Sequence, residues 1–457
     1  MGSQQQSRRA VVVPAVGAAS SVTCLRSLAP RGVHTIAVAE NENAPAFRSR
    51  YCDESVLVPS PAEDLLAYKD ALLELARRSD VRTIVPVREP DIYVLSQYCE
   101  AFAEHVSTLW PSFDTLGNAH DRVRLVDIAA EAGVTVPETR LLSEVDDWDR
   151  RLIVKSRHAL VTDERARSPS PIAVDGSELT DGGTLAADAG DELDGGTPSA
   201  ESRDAATDAG GSNGAGVTGE PDGPDAGPSS GGFVDVGKTR YLDPGVSPDT
   251  EGIAAEMYHD PIAQEYVPGT EYTFRALYDE GEPIATCQKR AIRGYKYARG
   301  PSVFHEATDI PELTEAGLAL LDALEWHGVA SVGFIRDERT GEFTLLEINP
   351  RFWSSLPSDL PAGVDFPNYY WRVAGGESVE RNPRYETGKG THLLRGEAAY
   401  LHSILFEDFS YVEKPSFGPA LWNVARSLIS DPRFDYLSLG DPKPFVRDLR
   451  NRIAGVL

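Results

Sequence analysis

Leu345-Leu346-Glu347-Ile348-Asn349-Pro350-Arg351 is the stretch on which the reading of this chain turns. An apolar run that admits polar residues at alternate positions and then meets proline is a strand ending at a turn. Residues two apart on a strand share a face, so Glu347 and Asn349 project together, about 7 Å apart. Hard oxygen donors paired in this way can hold magnesium against the phosphates of a nucleotide. On an exposed strand such a pair is usually no more than a solvated face. Here Ile348 lies between them and leucines precede them, and two polar groups aimed at one place from a buried strand need a partner.

Working outward, the strand is the second arm of a hairpin: 330–335, a turn at 337–341, then 343–348. An amphipathic helix is expected over 314–326, and strands at 262–266, 272–277 and 283–290. Nearer the N-terminus a helix over 121–131 ends at Gly133, followed by the extended Thr135-Val136-Pro137 and by a strand at 152–155. From about 165 to 232 the composition collapses into Gly, Ala, Ser, Thr, Pro and Asp. Such a segment cannot bury enough apolar surface to offset its ordering entropy, so a long disordered acidic insertion is expected. Order is expected to resume at Phe233, running through Lys238.

The first hundred residues alternate short apolar runs with helical stretches: strands at 11–13, 34–38 and 82–87, with a helix after Ser20-Ser21. This is the pattern of an α/β unit with a largely parallel sheet. Its first turn carries Val16-Gly17-Ala18, without the three-glycine spacing of a dinucleotide site.

These parts, in this order, resemble the ATP-grasp superfamily. A strand ending Glu-x-Asn and continuing Pro-Arg is similar to that of the carbamoyl-phosphate synthetase large chain, and D-aspartate ligase offers an analogy for the chemistry. The resemblance implies that Glu347 and Asn349 bind the metal and that Arg122 and Lys155 contact nucleotide phosphates. It implies that Gln264-Glu265-Tyr266-Val267 forms the hinge against adenine, with Glu271 on the ribose. Lys238 is expected as a further phosphate contact. Arg351, Arg290 and Lys289 are expected near the transferred phosphoryl or the substrate carboxylate, where fixed cations lower the barrier. One departure stands out: Gly333 occupies the facing-strand position where many members carry another metal-binding acid, with Glu306 a candidate to reach in and Asp337 about 13 Å along the strand.

The implied activity is an ATP-dependent ligase that activates a carboxylate as an acyl phosphate for attack by an amine, with ATP and Mg2+ (or Mn2+) as cofactors. The alternatives are carbamoyl-phosphate or biotin-carboxylase-like chemistry on bicarbonate, and a non-catalytic ATP-binding protein. The expected architecture is α/β and α+β: an N-terminal Rossmann-like domain (1–115), a small ATP-grasp subdomain (116–268) interrupted by the insertion, a core with the metal site (269–378) and a C-terminal helical extension (379–457). That extension is expected to act as a lid, a packing element or a homodimer surface.

Bulk properties bound the rest. The formal charge of -27, from 44 Lys and Arg against 71 Asp and Glu, argues against nucleic acid or an anionic membrane as partner. Arg-over-Lys usage with abundant Asp resembles the acidic surface of salt-adapted, halophilic proteins, where molar salt shortens screening to about 3 Å. No leader-like core is evident, so a cytoplasmic location is expected, with small-molecule carboxylate and amine as partners. Cys24, Cys52, Cys99 and Cys287 are far apart, with neither metal-ligand nor disulfide-framework spacing.

Overall fold

Val11, Val12 and Val13 sit in strand β1 (Ala10–Pro14), buried from end to end. β1 pairs in parallel with β2 (His34–Ala39), which pairs in parallel with β3 (Glu54–Leu57); on its other side β1 takes β4 (Val81–Ile84). Central strands covered on both faces read as unbroken apolar runs. One face packs on helix Ala19–Leu28, the other on helices Leu65–Ala76 and Glu89–Gln97. β3 was not expected from the sequence because it is a four-residue, half-exposed edge strand with no buried position. The computed structural model describes residues 8–15, 17–162, 232–234, 239–298 and 300–454. The insertion read at 165–232, save Gly232, lies outside the described residues, as do Lys238 and Arg299.

Helix Arg122–Glu131 starts where Asp121 accepts from the Val123 N–H at 3.0 Å, and ends at Gly133 in the left-handed region. Strands β5 (Thr139–Leu141) and β6 (Leu152–Lys155) follow. A short ribbon of β7 (Val161–Thr162) and β8 (Phe233–Val234) flanks the insertion. Its Phe233 ring meets Tyr93 of the N-terminal domain edge-on at 5.5 Å. β9 (Arg240–Leu242) and β10 (Ile262–Glu265) complete an antiparallel sheet of order β5-β10-β6-β9, covered on one face by helix Thr250–Met257.

The largest sheet comprises β11 (Gly269–Asp279), β12 (Glu282–Gly294), β13 (Ser302–Thr308), β14 (Gly328–Asp337), β15 (Phe343–Asn349) and β16 (Gly390–His392), in the order β15-β14-β11-β12-β13-β16. Gly269 opens β11 close against β14, where a Cβ would lie 2.1 Å from the Arg336 carbonyl oxygen. One sheet face carries Phe274, Ala276, Tyr278, Val332 and Ile348 against helix Pro311–Ala323. The opposite face carries Leu277, Ala285, Cys287 and Val329 toward the N-terminal domain. That second face also bears Glu347 and Asn349.

The C-terminal segment departs from the all-helical expectation. Gly390–His392 forms an edge strand of the main sheet before helices Leu394–Phe406, Phe417–Ser430 and Lys443–Ile453. The last helix returns to the N-terminal domain: Asn451 donates to the Asn43 carbonyl at 2.9 Å, and just upstream Arg26 donates to the carbonyls of Tyr436 and Asp441, each at 2.8 Å. Among the described residues no helix is long and apolar enough to cross a membrane.

Candidate active site

Strand register organises the site into rows. Glu347 lies opposite Gly333, Gly333 opposite Thr273, and Thr273 opposite Lys289; the next row runs Asn349, Ser331, Arg275, Cys287. Directly opposed residues share a face, so all of these face the N-terminal domain. Glu347 and Asn349 are adjacent and bonded: the Asn349 Nδ2 donates to Glu347 Oε1 at 3.0 Å. Arg351 Nη2 donates to Asn349 Oδ1 at 3.3 Å, which fixes the amide orientation, since reversing it would set N–H against guanidinium.

Arg351 is itself held from the N-terminal domain. Its Nε donates to Glu89 Oε1 at 2.7 Å, and the other Glu89 oxygen lies 2.9 Å from His120 Nε2. The Glu89 and Arg351 side chains are 12% and 9% exposed. Burial pushes the Glu89 carboxyl up, but the Arg351 guanidinium and His120 outweigh it and hold it down at about 2. Glu89 opens helix Glu89–Gln97, where a carboxylate also meets the positive end of the helix. A hydrogen-bonded chain Glu347-Asn349-Arg351-Glu89-His120 therefore runs from the main sheet into the N-terminal domain. Glu89 and His120 were not anticipated. Their only sequence signal is an acid a few residues after an apolar strand and directly before Pro90.

Gly333 does not answer to crowding. A Cβ there would meet Glu347 Cγ at 3.5 Å and Leu346 Cβ at 3.6 Å, ordinary contacts, so the position leaves room beside Glu347. Among the described residues no group of three or more His, Cys, Asp or Glu is arranged to hold a metal. Two oxygen-bearing side chains at one strand end fit magnesium shared with a triphosphate, because that ion commonly takes one or two protein carboxylates and completes its shell with phosphates and water.

Two of the three expected catalytic cations lie elsewhere. Lys289 faces the right way but is about 14 Å from Glu347 across three strand spacings. Its ammonium is 1% exposed, donates to the Ser358 carbonyl at 2.7 Å and lies 3.3 Å from Asp359, which also binds Arg275 at 2.8 Å. Such a buried cluster, one acid between two cations, fixes a fold rather than a substrate. Arg290 lies opposite Tyr272 and so turns to the helix-covered face, where it pairs across the strands with Glu306. That pairing also removes Glu306 as a stand-in ligand. Asp337 is occupied by Arg339.

Most of the expected nucleotide residues lie on or beside the small sheet. Arg122 is buried and donates to the Ser156 carbonyl at 2.7 Å, next to Lys155 at the end of β6. Lys155 pairs with Ile262, and Gln264 is two residues farther along β10, on the face away from helix Thr250–Met257. The Gln264 amide donates to the Thr139 hydroxyl. Glu265 is paired with Arg339 at 2.9 Å from the β14–β15 turn, and so ties the hinge to the main sheet. The Tyr266 ring lies 5.8 Å from Tyr411, which stacks on Tyr241 at 4.2 Å. Val267 is buried, and Glu271 sits half-buried on β11 opposite Ile335.

Residues 10–109 match the model of the PylC-like N-terminal domain. No curated protein matches the sequence. Among solved structures the chain is similar to biotin carboxylase of Campylobacter jejuni in its β-γ-ATP complex, at 14% identity and TM-score 0.54 over 84% of this chain and 74% of that one. It is similar to the biotin carboxylase domain dimer of Hydrogenobacter thermophilus 2-oxoglutarate carboxylase with MgADP, ADP and bicarbonate, at 15% identity and TM-score 0.55 over 83% and 72%. It is also similar to Staphylococcus aureus N5-carboxyaminoimidazole synthetase with ADP, at 13% identity and TM-score 0.51 over 83% and 80%. Matches at such identities speak of fold, and with the PylC-like domain in front they establish that the chain has the ATP-grasp fold.

Proposed function

We propose that this chain is an ATP-dependent ligase that joins a carboxylate to an amine. The observation that carries the reading is the bonded trio Glu347, Asn349 and Arg351 at the end of β15, within an ATP-grasp fold whose similar structures were solved with ATP-type ligands. In the proposed reaction a carboxylate oxygen attacks the γ-phosphorus of ATP and ADP leaves. The amine then attacks the acyl carbon, inorganic phosphate departs and the nitrogen loses a proton.

Each residue has a part in this proposal. Lys155 and Arg122 hold the phosphates from the small sheet, and Gln264 to Val267 line the adenine, with Glu271 toward the ribose. Glu347 and Asn349 hold magnesium, which would draw charge from the phosphoryl oxygens when bound. Arg351, with Nε on Glu89, Nη1 on the Phe352 carbonyl and Nη2 on Asn349, is a fixed cation whose charge lies beside the anionic substrate. Lys289, Arg290 and Glu306 have no role in it. A cytoplasmic, high-salt setting and a dimeric state belong to the same proposal, supported by the acidic composition and by the dimer among the similar structures.

The test is ADP release from Mg-ATP with acids, bicarbonate and amines added singly and in pairs. Release that requires one acid-amine pair supports the ligase. Glu347→Ala should lower that release by about 100-fold or more, the scale of removing one transition-state contact, while nucleotide binding persists in part. Unchanged release in the variant removes Glu347 from the site, and nucleotide binding without release in any mixture returns the chain to a non-catalytic binder.

A further inference from the structure

Small sheet and main sheet meet at the hinge, and a second tie between them is made by the C-terminal segment. Residues 407–411 leave helix Leu394–Phe406 and reach the small sheet before helix Phe417–Ser430 begins. On the main-sheet side Glu407 pairs with Lys296 at 2.8 Å, and the Phe409 N–H donates to the Tyr297 hydroxyl at 3.0 Å. The Phe409 and Tyr297 rings meet edge-on at 5.1 Å. Lys296 and Tyr297 belong to the loop between β12 and β13, and the Tyr297 N–H donates to the Ser403 hydroxyl at 2.9 Å. On the small-sheet side the Ser410 hydroxyl donates at 2.8 Å to Asp243, just past β9. The next ring, Tyr411, lies flat on Tyr241 at 4.2 Å and 11°.

Strand register shows which face of the small sheet Tyr411 covers. Tyr241 is opposite Ile153, and Ile153 is opposite Gln264. Directly opposed residues share a face, so Tyr241 stands on the face of Gln264 and, two residues along β6, of Lys155. The other face carries Leu152, Val154 and Ala263 against helix Thr250–Met257. Tyr411 also meets Tyr266 edge-on at 5.8 Å. Arg151, paired with Asp243 at 2.8 Å, places its guanidinium 5.8 Å from the same Tyr266 ring. Three tyrosines and a charge pair thus converge at one end of the face that the ligase reading gives to the nucleotide.

We propose that residues 407–411 are a strap fastening the small sheet to the main sheet beside the nucleotide face, with Tyr411 the positioning residue that holds the hinge ring Tyr266. The strap's residues are exposed or half-buried, so it parts at less cost than either sheet it joins. Because the small sheet cannot swing away until the strap parts, the strap sets the rate at which nucleotide leaves. That rate rests on the ligase reading, which puts nucleotide on this face; the fastening rests on the contacts alone.

The test has two arms, both on the full chain. Amide hydrogen exchange without nucleotide follows the small sheet, and stopped-flow release of a fluorescent ATP analogue, chased with excess Mg-ATP, follows the nucleotide. Tyr411→Ala should speed exchange in 240–242 and 264–267 about tenfold, and release by a similar factor, the scale of one lost aromatic contact. Exchange in 272–277 of the main sheet should not change. Tyr411→Phe keeps the ring and should stay within about twofold of the parent in both arms. Phe409→Ala, at the other end of the strap, should match Tyr411→Ala, and the double variant should release no faster than either single one, because one strap is broken only once. Additive release rates would mean two unconnected packing defects and overturn the strap. Exchange or release in Tyr411→Ala equal to the parent's overturns it as well. A parent that binds no nucleotide sinks the ligase reading, and the exchange arm then decides the strap by itself.

Discussion

Two buried seams join the N-terminal domain to the rest of the molecule, and each is organised around a carboxylate in an opposite electrostatic state. At the first, Glu89 sits between Arg351 and His120, and its carboxyl is held down at about 2. At the second, burial dominates over the Thr391 hydrogen bond and over Arg395, and Asp435 is pushed up to about 6. Depth is similar, so depth does not decide the state of a buried acid; the supply of donors does. Both Glu89 oxygens are engaged by protein donors, and that seam is assembled without a ligand. At the second seam Arg395 Nε lies 3.3 Å from an Asp448 oxygen, while Tyr295 Oη is buried without a hydrogen bond to protein among the described residues.

The largest effect should come from breaking the first seam. Glu89→Ala leaves the Arg351 guanidinium buried without its carboxylate, and removing one partner of such a pair typically costs about 3–5 kcal/mol. Urea unfolding followed by tryptophan fluorescence should show that loss. Because Arg351 also holds Asn349, the variant should lose ADP release even under conditions where it is folded. A midpoint within experimental error of the parent would mean that Glu89 and Arg351 are not coupled in solution.

The next effect separates the seams by pH. Glu89 has a folded value below its ordinary 4.5, so its contribution is present above pH 4.5 and is lost as pH falls from there toward about 2. Asp435 has a folded value above its ordinary 3.8, so its contribution is complete below pH 3.8 and lost as pH rises through about 6. Each shift corresponds to something on the order of 3 kcal/mol between the ends of its window. Stability measured from pH 3 to 8 should therefore lose slope between about 4 and 6 in Asp435→Asn, while Glu89→Gln alters the profile only below about 4.5. Identical profiles in parent and Asp435→Asn would show that Asp435 does not titrate in that window.

Much of the first seam was legible in sequence and almost none of the second. Glu347 and Asn349 are two apart on an apolar strand, so alternation alone puts them together, and Arg351 follows in the same local stretch. Glu89 is 262 residues from Arg351, and no periodicity links them. The same locality misplaced Arg290. It was grouped with Lys289 because the two are adjacent, but adjacent strand residues face opposite ways, and only the register with β11 says which way each turns. The second seam draws on residues from Gly17 to Tyr436, and its C-terminal part had no readable motif because β16 has only three residues and its partners are distant. The N-terminal sheet and the hairpin of β14 and β15 were foreseeable for the opposite reason, since each is specified by runs of local alternation or unbroken apolar character.

The smallest effect is a substitution that would make the first seam resemble the second. Gly333 faces Glu347 with space for a side chain, the nearest atoms to an added Cβ being 3.5 and 3.6 Å away. Gly333→Asp introduces an acid beside Glu347 with no new cation to match it, so in the absence of divalent ions the two carboxylates repel. Gly333 is buried in the middle of β14 and Glu347 is half-buried on β15, so the cost should be about 1–3 kcal/mol, that of a buried polar group left unmatched. With Mg2+ present the added oxygen supplies the protein ligand that Gly333 withholds, so half-maximal ADP release should occur at lower Mg2+, and added Mg2+ should raise the melting temperature of the variant more than that of the parent. A loss well beyond that without metal would show that the space beside Glu347 is closed in solution. Equal Mg2+ dependence in variant and parent would instead mean that the cation lies on the far side of Glu347, and Gly333 would then be a spacer with no bearing on the metal shell.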